Sequence, residues 1–243
     1  MSPSSYWKDS RAPRYSLLFA LPLMVLYEAL AIALADPGGG GVRNAADVFL
    51  KDLFTAVGGA HGPLLFWACL IGVGVWLAVR DLRKTGRGLR AGTFVVMLGE
   101  ATALALVVGT IVGTLTSTIL RPLALAAGTG PSSLDLPTRL MVSLGAGLYE
   151  ELLFRVLLVS LIASACMHLL GLRAVTAGTV AVVGGAAVFS AFHYVGPYAD
   201  RLELYSFTFR FMAGLFFSAL YVVRGFGITA WTHALYDVFL LVI

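Results

Sequence analysis

Charge is scarce in this chain. Only 12% of its 243 residues are Asp, Glu, Lys or Arg, against about 25% in a typical soluble domain. That excludes an ordinary soluble enzyme, and no polar stretch between the apolar runs is long enough to form a soluble domain. Cysteine is nearly absent. Cys69 and Cys166 both lie in or beside apolar segments, which excludes a disulfide framework. Lysine is rare too, with three against fourteen arginines, a composition that points to a GC-rich bacterial genome. The sequence has no His-Glu-x-x-His zinc motif, no internal repeat and no low-complexity tract beyond the four glycines at 38–41. The net charge of +4 does not indicate nucleic acid as a partner, because the positive residues collect in short flanks beside apolar runs.

Apolar residues are abundant, at 59% of the chain, and they come in runs of roughly 20, the length that crosses a bilayer as a helix. Hydropathy predicts an all-α, polytopic transmembrane bundle of about seven spans in a cell membrane, with lipid as its surroundings. Residues 1–14 read as a polar N-terminal tail and 15–243 as a single transmembrane domain. The spans run from Tyr15 to Ala35, Pro63 to Val79, Thr93 to Leu120, Leu140 to Ala165, Ala174 to Val195, Tyr205 to Val223 and Ile228 to Ile243. Pro22 predicts a kink in the first, which is too long for the core of a signal peptide. Ala45 to Val57 mixes Asp47, Lys51 and Asp52 with apolar residues and reads as an interfacial or re-entrant helix.

Within the fourth span lies Tyr149-Glu150-Glu151-Leu152-Leu153-Phe154-Arg155. A charged residue at the centre of a membrane helix costs at least about 2.5–3.5 kcal/mol, so such residues are functional candidates. Glu151 and Arg155 are four apart, in the favourable order for an ion pair on one helical face. Glu150 points about 100° away and is left to face another element. Two later spans carry further pairs at a spacing of four, Phe189 with His193 and His233 with Asp237. Carboxylates and imidazoles inside a membrane suit hydrolysis, in which a base takes a proton from water, returns it to the leaving amine, and donors stabilise the oxyanion. Glu28 and Glu100 are also intramembrane but lack a neighbouring partner motif, so a buried bond to Tyr, Thr or Arg is expected for each. His61 and His168 lie near span ends and read as interfacial. Gly145, Gly147, Gly184 and Gly185 read as close-packing positions.

In this order, Glu150-Glu151-x-x-x-Arg155, Phe189-x-x-x-His193 and His233-x-x-x-Asp237 resemble the motif set of the CPBP family. These are the CAAX-processing and bacteriocin-processing intramembrane endopeptidases, which include the Ras-converting CAAX protease. The resemblance covers the motif-bearing half, 138–243. It implies that Glu150 and His193 activate water, that His233 and Asp237 sit at the oxyanion, and that the substrate is a membrane-anchored or lipidated polypeptide. In a bacterium, a peptide leader or a carboxyl-terminal sorting tail fits that description best. Glu151, Arg155 and Phe189 are supporting residues. The last motif often ends in asparagine, whereas this chain has Asp237. The metal-free reading is favoured; the alternative is zinc on Glu150, His193, His233 and Asp237. Rival functions are a proton-coupled transporter using the Glu and His side chains as a relay, and a non-catalytic membrane protein of the bacteriocin-immunity type. Straight spans would place His193 and His233 at different depths, so the expectation is a tilted or broken helix that brings them level.

The loop from Arg80 to Arg90 carries five positive charges and one negative, which places it in the cytoplasm, with the amino terminus inside and the carboxyl terminus outside. A cysteine at Arg87 should therefore be shielded from an impermeant thiol reagent in intact cells, and one at Ser132 should react. The opposite labelling inverts the topology.

Overall fold

The computed structural model describes residues 3–37, 40–86, 88–120, 134–196 and 199–242. Most of the loop read as external (Arg121, Pro122, Pro131 and Ser132 among its residues) lies outside the described residues, as does Arg87. Among the described residues there are helices and no strand. In chain order they are α1 (Pro3–Arg11), α2 (Pro13–Ala33), α3 (Ala45–Gly58), α4 (Gly62–Thr85), α5 (Ala91–Ile119), α6 (Leu136–His168), α7 (Ala174–Phe192), α8 (Leu204–Arg224) and α9 (Phe226–Val242). Among the described residues six helical segments are long and apolar enough to cross a membrane. To these α9 adds a seventh of 17 residues, about 25 Å long at 1.5 Å per residue. The protein is a multi-pass membrane helix bundle.

Local chemistry explains several of the boundaries. Pro13 opens α2, where its missing N–H is not needed, and the helix runs on through Pro22 to Ala33. Asn44 caps α3 by accepting from the Ala46 N–H at 2.9 Å. Its preference for the cap ends the glycine-rich connection. Gly59 then takes a positive φ of 55°, and the chain turns back so that α4 packs against α3. Phe54 meets Phe66 edge-on at 5.6 Å, and a Cβ on Gly62 would lie 2.3 Å from the Thr55 Cα. The polar segment read as interfacial or re-entrant is therefore a half-helix folded against α4, with its capped end directed into the protein.

The centre of the bundle is α6. It runs unbroken for 33 residues, with the wider i→i+5 hydrogen-bonding of a π-helix from Ala146 to Val159, a form often found at functional sites. Residues 145–151 are buried in succession, because α2, α3, α7 and α9 all pack on this part of the helix. Small residues permit the approach. A Cβ on Gly147 would sit 2.3 Å from the Ala230 carbonyl oxygen of α9, one on Gly145 would strike the Tyr27 ring, and one on Gly185 would strike Val159. Gly184 meets nothing within 4 Å, so of the four glycines read as packing positions it alone faces open space. Outward faces, such as Val75 and Trp76 on α4 and Val175 on α7, are apolar and exposed, as a lipid-facing surface requires.

Residues read as a polar tail form α1, folded against the end of the bundle. Arg14 is buried between Asp9 at 3.0 Å and Asp81 at 2.6 Å. Arg224 bonds Ser10 at 2.9 Å, pairs with Glu100 at 2.6 Å and lies 3.9 Å over the Trp7 ring. Burying Arg224 and Glu100 at a helix end requires partners, and α1 supplies three: Tyr6, which donates to Glu100, Trp7 and Ser10.

Adding a methyl group at Gly147 should force α6 and α9 apart. Gly147→Ala is expected to lose about 1–3 kcal/mol of stability, read as a lower melting temperature in detergent, whereas Gly184→Ala should be neutral or slightly stabilising, since alanine favours a helix by about 1 kcal/mol over glycine.

Candidate active site

Glu151 and Arg155 are both sealed from solvent and form the ion pair expected of their spacing, Nη1 to Oε1 at 3.1 Å. The pair also reaches another helix. The same Oε1 accepts from His233 Nδ1 of α9 at 2.7 Å, while the guanidinium lies 4.3 Å over the Phe189 ring of α7. Phe189 is thus the platform under Arg155. His233 is held from a third side by Phe217 of α8, stacked at 4.3 Å with the ring planes 16° apart. One carboxylate and one guanidinium tie together α6, α7 and α9.

Glu150 faces the other way, as its position predicts. Its Oε1 accepts from Asn44 Nδ2 at the capped start of α3, at 2.9 Å, and it is within electrostatic reach of His193 and His233. His193 is the C-cap residue of α7. Its Nδ1 lies 2.9 Å from the Phe189 carbonyl oxygen, which can only accept, so Nδ1 carries the hydrogen. Nε2 is then the free acceptor. No helix breaks to bring the histidines level. α7 stops just before His193, α9 carries His233 near its middle, and the Phe189 and His233 rings stand 6.3 Å apart.

Asp237, one turn beyond His233, remains partly open, with its side chain 28% exposed and Oδ2 3.7 Å from His233 Nε2. That is too long for a hydrogen bond. An acceptor oxygen placed about 2.8 Å from each atom would complete a triangle across the gap. His233 Nδ1 is bonded to Glu151, which leaves Nε2 free, and among the described residues no group of three His, Cys, Asp or Glu side chains is already gathered around one point.

Two functional neighbours escaped the sequence reading. Asn44 is one. Its only signal was a capping residue before a short polar helix, and nothing in the sequence tied it to Glu150, 106 positions away. The network behind it is the other. Tyr149 donates to Glu28 at 2.8 Å and Tyr27 to Asp47 at 2.8 Å. Arg43 bridges Glu28 and Asp47 at 3.1 and 3.0 Å, and Lys51 pairs with the same two at 3.3 and 2.6 Å. Glu28 therefore has tyrosine, arginine and lysine partners, and Glu100 has Tyr6 and Arg224. His61 and His168 are exposed at helix ends, away from the cluster.

Residues 132–239 match the model of a protein family described as type II CAAX prenyl endopeptidase Rce1-like. The motif-bearing segment is similar to that family. The match takes in Glu150, Glu151, Arg155, Phe189, His193, His233 and Asp237, and leaves α1–α5, with Asn44 and Tyr27, outside it. No curated protein and no solved structure matches the chain. The family so described is one of CAAX-type endopeptidases, and the chain that is similar to it over this segment is a multi-pass membrane protein.

Arg155→Ala should lower the folded amount sharply. It strips the buried Glu151 of its guanidinium partner and leaves it with His233 alone, at a cost of about 3–5 kcal/mol, and removes the group packed on Phe189. Fluorescence-detected size exclusion of the expressed variant checks this; normal abundance would show that the ion pair is dispensable.

Proposed function

We propose that the protein is an intramembrane peptidase that hydrolyses a peptide bond near the end of a membrane-anchored or lipidated polypeptide, without a metal ion. What carries the reading is the position of Glu150, a buried carboxylate held by one neutral donor and set beside two histidines. A water between Glu150 and His193 Nε2 would find an acceptor on each side. As the water oxygen attacks the carbonyl carbon, Glu150 takes its proton. The carbonyl oxygen gains the negative charge and settles in the gap between His233 Nε2 and Asp237. The proton then passes from Glu150 to the amide nitrogen, the C–N bond breaks, and the products leave as an amine and a carboxylic acid that gives up its remaining proton to the amine or to water.

His233 suits the oxyanion role because Glu151 fixes its ring and a carboxylate stands at each nitrogen. The Glu151 carboxylate holds a hydrogen on Nδ1 and favours a second on Nε2, so the imidazole can donate to the oxyanion. Asp237 can stabilise the oxyanion only as a donor, which requires its protonated form. The family name supplies the first substrate to try, a prenylated cysteine four residues from a carboxyl terminus; an unmodified membrane-anchored peptide is the second.

Two variants test these roles on an internally quenched farnesylated peptide. Glu150→Gln keeps the volume and removes the base, so activity should fall at least about 100-fold while the protein still accumulates in the membrane. Equal cleavage by this variant would remove Glu150 from the chemistry. Asp237→Asn should remain active, because the amide is a permanent donor. If Asp237 works protonated, activity in the parent is lost as pH rises and the proton leaves. Asparagine does not titrate, so in the variant that basic limb should move upward or vanish. An inactive Asp237→Asn enzyme of normal folded amount would instead mark Asp237 as an acceptor that orients His233.

A further inference from the structure

The amide of Asn44 is held on every side. Its Oδ1 accepts from the Ala46 N–H at 2.9 Å, which fixes the face of the amide and leaves Nδ2 directed at Glu150, 2.9 Å away. Its backbone N–H donates to the Tyr27 hydroxyl at 3.1 Å, and that hydroxyl donates onward to Asp47. Asp47 is fully buried and held by Arg43 and Lys51. On the opposite side α6 presses close: a Cβ on Gly145 would lie 2.8 Å from the Asn44 Cβ. The amide nitrogen has no freedom to swing away from Glu150.

A free carboxylate in a polar cavity rotates and offers either oxygen to water. With Oε1 committed to Asn44, Oε2 is the remaining acceptor. The donor is neutral, so it orients Glu150 without forming an ion pair that would weaken it as a base. The titratable and charged groups that face the carboxylate are His193 from α7, His233 and Asp237 from α9, and Arg155 from its own helix. We infer that Asn44 is a positioning residue for hydrolysis, holding Glu150 Oε1 so that Oε2 meets the attacking water, and that the half-helix α3 is therefore a wall of the active site although it lies outside the family match. This rests on the reading of Glu150 as the base.

Two substitutions keep the helix cap, since serine and aspartate cap as well as asparagine, and change only what reaches Glu150. Asn44→Ser is too short to touch the carboxylate. Its kcat should fall by about 10–100-fold, the scale on which misplacing a catalytic group acts, with KM little changed and the folded amount that of the parent. Asn44→Asp sets a second carboxylate against the first. Like charges disfavour double ionisation, so the acidic limb of kcat against pH should move upward by about one unit or more. A parental kcat in Asn44→Ser overturns the inference, and so does an activity loss that merely follows lost folded protein in both variants. Glu150→Gln, run beside them, separates the two levels. If it stays active, the base and its positioning residue fall together. If it is dead while Asn44→Ser works normally, only the role of Asn44 is refuted.

Discussion

Arg155 is a cation of α6 sealed from solvent, and the arrangement around the site depends on how it is neutralised. Glu151 supplies the negative charge from the same helix, and the oxygen that meets Arg155 also holds His233. Phe189 and Phe217 enclose the guanidinium from α7 and α8. Removing Glu151 leaves the Arg155 charge and a His233 nitrogen without a partner where water cannot compensate, which is why buried pairs of this kind are costly to break. The ion pair thus joins the helices that carry the two histidines, while Glu150, the adjacent carboxylate, turns to Asn44 instead.

The opposite side of Glu150 follows the same logic with a different composition. Glu28, Asp47, Arg43 and Lys51 balance as two negative and two positive charges, joined by Tyr27 and Tyr149. Charges at membrane depth persist where they pair with one another or line a polar cavity. This cluster pairs them and leaves one neutral amide as its contact with the site. A third group, Arg224 with Glu100, Tyr6 and Ser10, fastens α1 to the bundle at the end where α2 begins and α8 finishes. Between these polar groups the helices approach through small residues, with Gly145 and Gly147 letting α6 lie against α2, α3 and α9. Charge pairing specifies which helices meet, and the glycines specify how closely.

Much of this was legible in the sequence because it is local. A bilayer admits backbone only when its hydrogen bonds close within the element, so apolar runs of the right length read directly as helices, and the boundaries moved by six residues at most, from Val79 to Thr85. The Glu151–Arg155 pair and the opposed direction of Glu150 follow from helical spacing alone, as do the shared faces of Phe189 with His193 and of His233 with Asp237. The half-helix at Ala45–Gly58 was recognisable by its charge and short length, although not by where its capped end points.

What the tertiary structure decided are the relations between residues far apart in the chain, which no spacing rule reaches. It joined Glu151 to His233 and Asn44 to Glu150. It placed Phe189 under Arg155 and turned a supposed polar tail into a docked helix. It also settled the level of the two histidines without a break, by ending α7 at Phe192 and starting α9 at Phe226. The sequence determined which segments are helical, which charges share a face and which residues bring chemistry into the membrane, because those depend on neighbours within a turn. Which partners Glu150 and Glu151 find on other helices depends on how those helices meet, and only packing determines that.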